Sequence, residues 1–173
     1  TLFRSDDNDK YAVGHGLAPR LTYGFSLGAE WNGFDFSCLF QGNAGLQVYW
    51  QDKFYMGYIN YGDVINKEIA EGAWREGRTN ATYPRLLTGL NTLNAQPSDF
   101  WVQNKSYLRL KNVQIGYKIP KKLLQKLDIS QLRLYTSLEN MLTFTSYKGI
   151  DPEISGTTYP TMKQITVGVN VVF

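Results

Sequence analysis

Residues 21–45 read LTYGFSLGAEWNGFDFSCLFQGNAG, and their alternation decides the fold. Leu21, Tyr23, Phe25, Leu27, Ala29 and Trp31 take the odd positions; Thr22, Gly24, Ser26, Gly28 and Glu30 take the even ones. Successive side chains of a β-strand point to opposite faces, so a period of two without exception is strand geometry. Asn32-Gly33 follows at once, and both residues tolerate the positive φ that a type I′ hairpin demands. The return strand, Phe34 to Gly45, sets Phe34, Phe36, Cys38, Phe40, Gly42 and Ala44 against Asp35, Ser37, Leu39, Gln41 and Asn43.

Three more segments carry the same signature. A third strand is predicted from about Ser106 to Lys118. Its apolar positions slip from Leu108 and Leu110 to Val113, Ile115 and Tyr117, which calls for a one-residue bulge near Lys111-Asn112. A fourth, Gln131 to Thr145, puts Leu132, Leu134, Leu138, Leu142 and Phe144 opposite Arg133, Tyr135, Ser137, Glu139 and Thr143. A fifth, Lys163 to Phe173, alternates Ile165, Val167, Val169, Val171 and Phe173 with Gln164, Thr166, Gly168 and Asn170, with Val172 the exception. Strands of this length exceed the soluble mode of about 5–6 residues and suit a tilted crossing of a membrane.

Composition narrows the class. Of 173 residues, 19% are charged and 14% aromatic, and 16 are Gly. The net charge of +3 is too weak and too mixed for a nucleic-acid surface. One cysteine excludes an internal disulfide framework, and one histidine excludes a multi-histidine zinc site. No apolar run suffices for a membrane helix. Two classes fit: a soluble all-β domain, or a transmembrane β-barrel whose alternating strands look polar on average.

The connections favour the barrel. Asn32-Gly33 and Ile119–Ser130 are short; Leu46–Lys105 and Ser146–Met162 are long. Outer-membrane barrels have short turns on the periplasmic side and long loops outside. The polar faces hold Gly, Ser, Thr, Asn and Gln with Asp35, Arg133 and Glu139, a set that suits a water-filled or plugged lumen. Trp31, Phe34, Tyr117 and Phe173 gather at one end, where an interfacial aromatic girdle belongs. On this reading Gly14–Pro19, Leu46–Lys105 and Tyr147–Pro160 lie outside the cell.

Ordered motifs identify a family. Ser106-Tyr-Leu-Arg-Leu-Lys-Asn-Val, Gly116-Tyr, Pro120-Lys-Lys, Leu132-Arg-Leu-Tyr, Glu139-Asn, Tyr147-Lys-Gly and Asp151-Pro-Glu occur in sequence. Upstream stand Tyr23-Gly, Gly33-Phe-Asp, Phe40-Gln-Gly and Asn80-Ala-Thr-Tyr-Pro. From about Gly14 to Phe173 the chain resembles the C-terminal barrel region of the SusC/RagA family of TonB-dependent outer-membrane transporters of Bacteroidetes-type bacteria. Glu139-Asn departs from the Gln-Asn more usual there. The resemblance implies an all-β antiparallel meander of about five long strands, drawn from a barrel of about 22. A long extracellular loop carrying one short helix is part of that expectation. Residues 1–173 are then one C-terminal segment; signal, TonB box, plug and most strands are absent, and five strands cannot close a barrel of roughly eight or more. The resemblance further implies a SusD-like surface lipoprotein, TonB acting through the absent N-terminal part, outer-membrane lipid, and a glycan or peptide as substrate. It also makes Phe173, as a terminal aromatic, a barrel assembly signal.

Candidate sites are few. His15 and Cys38 support no nucleophile–base–orienter set, and Cys38 reads as a small apolar residue of the Phe36–Phe40 face. Asp151 and Glu153 read as a family loop rather than as glycosidase carboxylates. Asp6, Asp7 and Asp9 resemble the start of a calcium loop but lack its Gly and distal Glu. No enzymatic activity and no cofactor are expected, with calcium the sole alternative. Lys118, Lys121, Lys122 and Lys126 surround Leu123, Leu124 and Leu127 and read as a solvated turn, with Pro120 in the first turn of a short helix. Asp63 to Glu71 reads as a helix capped by Asp63. Trp50, Tyr55, Tyr58, Tyr61, Trp74 and Trp101 of the long loop are the candidate substrate or partner contacts, in competition with a role as that loop's own core.

Three functions follow: a nutrient importer for oligosaccharides or oligopeptides, a soluble secreted lectin-like β-sandwich, or a siderophore or cobalamin receptor. A sandwich would bury one face of each strand; the importer leaves an apolar face for lipid.

Overall fold

The computed structural model describes residues 11, 18–49, 58–59, 65–88, 98–125, 128–154 and 158–173. Its elements are β1 (Leu21–Trp31), β2 (Phe34–Ala44), β3 (Gln47–Tyr49), β4 (Tyr58–Ile59), α1 (Lys67–Gly72), β5 (Leu87–Thr88), a 3-10 turn (Asp99–Trp101), β6 (Val102–Asn104), β7 (Tyr107–Lys118), α2 (Lys121–Leu124), β8 (Gln131–Thr145) and β9 (Gln164–Val172). No helix among the described residues is long and apolar enough to cross a membrane, which says nothing of a β-barrel.

The chain divides into two units. One holds residues 17–46 and 104–173, the other residues 1–16 and 47–103. The first is an antiparallel meander of five strands in the order β1-β2-β7-β8-β9. Its first hairpin closes Trp31 on Phe34, with Asn32 at φ 49° and Gly33 at φ 86°, the left-handed pair that a two-residue turn requires. The predicted bulge is present: Leu39 pairs with Asn112 and Phe40 with Leu110, leaving Lys111 as the extra residue. The register slips at the same place against β8, where Leu110 faces Leu142 and Asn112 faces Glu139, so that Asn140 and Met141 stand against Lys111.

With that one slip, the register gathers like residues into rows across the sheet. Leu27, Cys38, Val113, Leu138 and Ile165 form one row; Trp31, Phe34, Tyr117, Leu134 and Val169 form another. On the opposite face run Gly28, Ser37, Gln114, Ser137 and Thr166, and then Glu30, Asp35, Gly116, Tyr135 and Gly168. Leu39 and Val172 are apolar exceptions on the polar face. Cross-strand rings support the apolar face: Phe25 stacks on Phe40 at 4.9 Å, and Phe34 meets Tyr117 at 4.5 Å.

No described layer covers the apolar face. Trp31 is 77% exposed, Val167 76% and Phe173 86%, and Leu21, Leu27, Ile165 and Val169 are also exposed. Leaving a large aliphatic side chain in water forgoes about 1.5–3 kcal/mol, so a sheet bearing this many would not be stable bare. Among the described residues no second sheet packs on that face as a sandwich would require.

The second unit is built of short pieces: β3 pairs with β6, and β4 runs parallel to β5. Its helix starts later than the sequence suggests. Asn66 is the N-cap, its side chain accepting from Glu68 N–H at 2.9 Å, and α1 turns the buried Ile69 inward. Asp63 lies outside the described residues. Pro120 likewise stands at the N-cap of α2 rather than within its first turn; an extended ψ of 134° there delivers the chain to the helix.

Candidate functional site

Of the six aromatic candidates, Trp50, Tyr55 and Tyr61 lie outside the described residues, and Tyr58 is placed only as backbone in β4. The other two differ. Trp101 is 3% exposed, and Phe100 meets it edge-on at 4.8 Å. Tyr83 meets Phe100 edge-on in turn at 6.5 Å. This is a small aromatic core. Trp74 is 45% exposed, with the Arg85 guanidinium 5.8 Å from its ring centroid. The backbone fixes Trp74: its N–H donates to the Tyr83 carbonyl at 2.9 Å, and Thr82 and Tyr83 N–H both donate to the Gly72 carbonyl. A shallow cleft lies between Trp74, Arg75, Glu76 and Arg85.

In the sheet unit, side chains of the polar face are organised into two charged clusters. The first spans β2, β7 and β8. Arg133 Nε donates to Asp35 Oδ2 at 2.8 Å, a second bond runs from its Nη2 to Asp35 Oδ1, and Gln114 Oε1 accepts at 3.1 Å. Gly116, opposite Asp35 on β7, lies between the two side chains. A Cβ there would meet the Arg133 guanidinium at 2.5 Å and Asp35 at 2.6 Å, so the missing side chain is what lets the pair reach across a strand. Tyr135 lies over Gly168 in the same way, and the Arg133 guanidinium is 5.1 Å from its ring.

The second cluster joins β7 to the connection after β8. All three guanidinium nitrogens of Arg109 are used: Nη2 donates to Asp151 Oδ1 at 2.7 Å, Nη1 to Glu153 Oε2 at 2.7 Å, and Nε to Thr143 Oγ1 at 2.9 Å. Lys111 Nζ and the Tyr107 hydroxyl donate to Glu153, both at 2.8 Å. Glu153 N–H and Thr161 N–H donate to Asp151. Lys105 Nζ donates to the Ile154 carbonyl and lies 5.6 Å from the Tyr147 ring. Arg109 and Asp151 are both 4% exposed as side chains.

Burial pushes the Asp151 carboxyl up, but Arg109 and the Glu153 and Thr161 N–H groups outweigh it and hold the pKa below the ordinary value. Glu153 follows the same balance: burial raises it, and Lys111, Tyr107 and Arg109 bring it below the ordinary value. Burial lowers Lys105, and Asp151 recovers only part of that. Both carboxylates are therefore fully committed as anions to neighbouring cations. The Asp-Pro-Glu segment is a structural charge cluster, and general acid–base chemistry has no free group there. The sequence reading missed Tyr107, Arg109 and Lys111 as its counterparts. The available signal was two cations, Arg109 and Lys111, on the face of β7 that also holds Asn112, Gln114 and Gly116.

Cys38 is buried in the apolar row. His15, Asp6, Asp7 and Asp9 lie outside the described residues, among which no group of side chains could hold a metal ion.

Known proteins share this sequence and this fold. No protein-family model matches the chain. It is 31% identical over 171 residues to the TonB-dependent receptor P3 of Formosa agariphila, a match covering 90% of this chain and 16% of that protein. It is 25% identical over 181 residues to the TonB-dependent receptor SusC of Bacteroides thetaiotaomicron, covering 97% of the chain and 16% of the relative. Among solved structures, the RagAB peptide transporter matches with a TM-score of 0.76 at 28% identity, over 97% of this chain and 19% of that one. The chain thus spans about a sixth of the curated relatives' length. Strand order, the two-faced sheet and similarity over nine-tenths of the chain agree: it is similar over nearly its whole length to one segment of the TonB-dependent receptors, SusC and the RagAB transporter among them.

Proposed function

We propose that the chain is part of the wall of an outer-membrane β-barrel that imports nutrient oligomers, oligosaccharides or oligopeptides, in a TonB-dependent manner. One observation carries this reading: five antiparallel strands expose a predominantly apolar face on one side and a Gly, Ser, Thr, Asn and Gln face with charge clusters on the other. Lipid satisfies the first face and a water-filled passage satisfies the second. The whole receptor works with a SusD-like surface lipoprotein, and residues 1–173 form one segment of its barrel domain. Trp74, on the surface, is a contact for partner or substrate. Phe173, beyond Val171 on the apolar face and beside the Trp31–Phe34–Tyr117 end, serves barrel assembly. The relatives are named as receptors and transporters, in keeping with uptake rather than catalysis.

Growth tests this. Cells lacking the complete receptor are expected to lose growth on the oligomer it imports and to regain it on complementation. Complementation with Phe173→Asp is expected to return less receptor to the outer membrane and correspondingly less growth. Undiminished growth of the deletion strain on every oligomer tested would remove the importer reading.

A further inference from the structure

Arg109 stands on the polar face of the sheet, between Gln41 of β2 and Thr143 of β8 in its row. A face of short side chains should leave so long a residue open. It is nonetheless 3% exposed. What covers it is the β8–β9 connection: Asp151 and Glu153 take its guanidinium from above, and Pro152 between them is buried. Lys105, just before β7, and Tyr107 and Lys111 within it bind the same short stretch. Thr161, on the way to β9, closes the turn by donating its N–H to Asp151 at 3.0 Å. The connection therefore bends back over the polar face instead of continuing away from the strand ends. The two carboxylates that hold it down each answer a cation rooted in β7. Lifting the segment would leave Arg109 with Thr143 alone and no carboxylate, and an unpaired charge in a poorly hydrated place is costly.

We propose that residues 151–154 form a fixed inward constriction of the transport passage, clamped to its wall by Arg109 and Lys111, which sets the size of oligomer that passes. This rests on the importer reading, under which the polar face lines the lumen. The segment lies at the end of the strands opposite the Asn32-Gly33 turn, hence at the outer mouth. Its rigidity distinguishes it from a lid: every nitrogen of Arg109 is bound, so the resting state is the folded-in one.

The test uses the whole receptor in intact cells, with Ile154→Cys in a background lacking other reactive cysteines. A membrane-impermeant maleimide is expected to label it slowly in the parent and severalfold faster when Asp151→Asn and Glu153→Gln are combined. Lys111→Gln, which leaves the buried Arg109–Asp151 pair, is expected to fall between them. In parallel, uptake of short and long labelled oligopeptides, and of short and long labelled oligosaccharides, is normalised to surface abundance. The long-to-short uptake ratio is expected to rise severalfold in the double variant. Equal labelling in parent and both variants would overturn the clamp. Faster labelling with an unchanged ratio would overturn the constriction and leave a structural staple. Failure of the parent to take up any oligomer would strike the importer reading instead, and the labelling arm would still report on the clamp.

Discussion

Glycine positions show how single residues carry this sheet. At Gly42 a Cβ would collide with the Tyr107 carbonyl oxygen and lie 2.7 Å from the Tyr23 hydroxyl, which itself donates to that carbonyl at 3.1 Å. The obstruction is backbone, which cannot swing aside. At Gly28 the nearest atom is 3.6 Å away, an ordinary contact. Gly42→Ala is therefore expected to lower the thermal stability of the detergent-extracted receptor by about 1–3 kcal/mol, the scale of overpacking. Gly28→Ala is expected to change it little. Equal melting of the two variants would contradict this. The charge cluster yields a pH prediction. Asp151 and Glu153 have folded pKa values below their ordinary 3.8 and 4.5. A depressed carboxyl contributes stability above its unfolded pKa and loses it as pH falls through the folded one. The mobility of a spin label at Ile154→Cys should thus stay flat from neutral pH down to 4.5 and rise only below 3.8. A rise near pH 6.5, the histidine range, would assign the transition to another group.

At the scale of elements, the single extra residue in β7 matters more than any side chain. Lys111 separates the Leu108–Leu110 phase from the Val113–Tyr117 phase. Without it, one half of β7 would turn its apolar residues to the polar face, because a one-residue shift inverts every side chain. Deletion of Lys111 is expected to abolish assembly of the folded receptor, whereas Lys111→Ala, which only removes one partner of Glu153, is expected to keep it. Heat-modifiable migration on gels separates the two outcomes, and a folded deletion variant would refute the register argument. The Asn32-Gly33 hairpin works at the same scale. Two positive φ values set the register of β1 on β2, and Lys118 N–H donating to the Gly33 carbonyl at 2.7 Å ties the third strand to that turn.

The whole molecule sorts its aromatics by surroundings. Trp101 is buried against the Phe100 ring, so its truncation removes packing; Trp74 is half-exposed and held through its backbone, so its truncation removes mainly exposed surface. Trp101→Ala is expected to cost about 3–5 kcal/mol locally and to expose residues 98–104 to protease. Trp74→Ala is expected to leave receptor abundance and protease pattern unchanged while weakening lipoprotein association or growth on substrate. Should Trp74→Ala lose folded receptor in step with function, Trp74 would join the loop's packing and drop out as a contact.

The alternation in residues 21–45, the Asn-Gly turn and the phase slip near Lys111 were legible in the chain itself, because strand period, turn conformation and bulge are local consequences of backbone geometry. The two-faced character of all five strands was legible for the same reason. The start of α1 was not: Asp63 and Asn66 both satisfy the rule for a cap, and the inward turn of Ile69 is a tertiary preference. Nor was the fate of Trp74 and Trp101, which are chemically alike and differ only in what packs beside them. Asp151 and Glu153 stand 42 and 44 residues from Arg109 in sequence. Their union is a long-range choice: a buried guanidinium with three bound nitrogens needs carboxylates from wherever the fold can bring them, and only the folded sheet brings that loop onto β7.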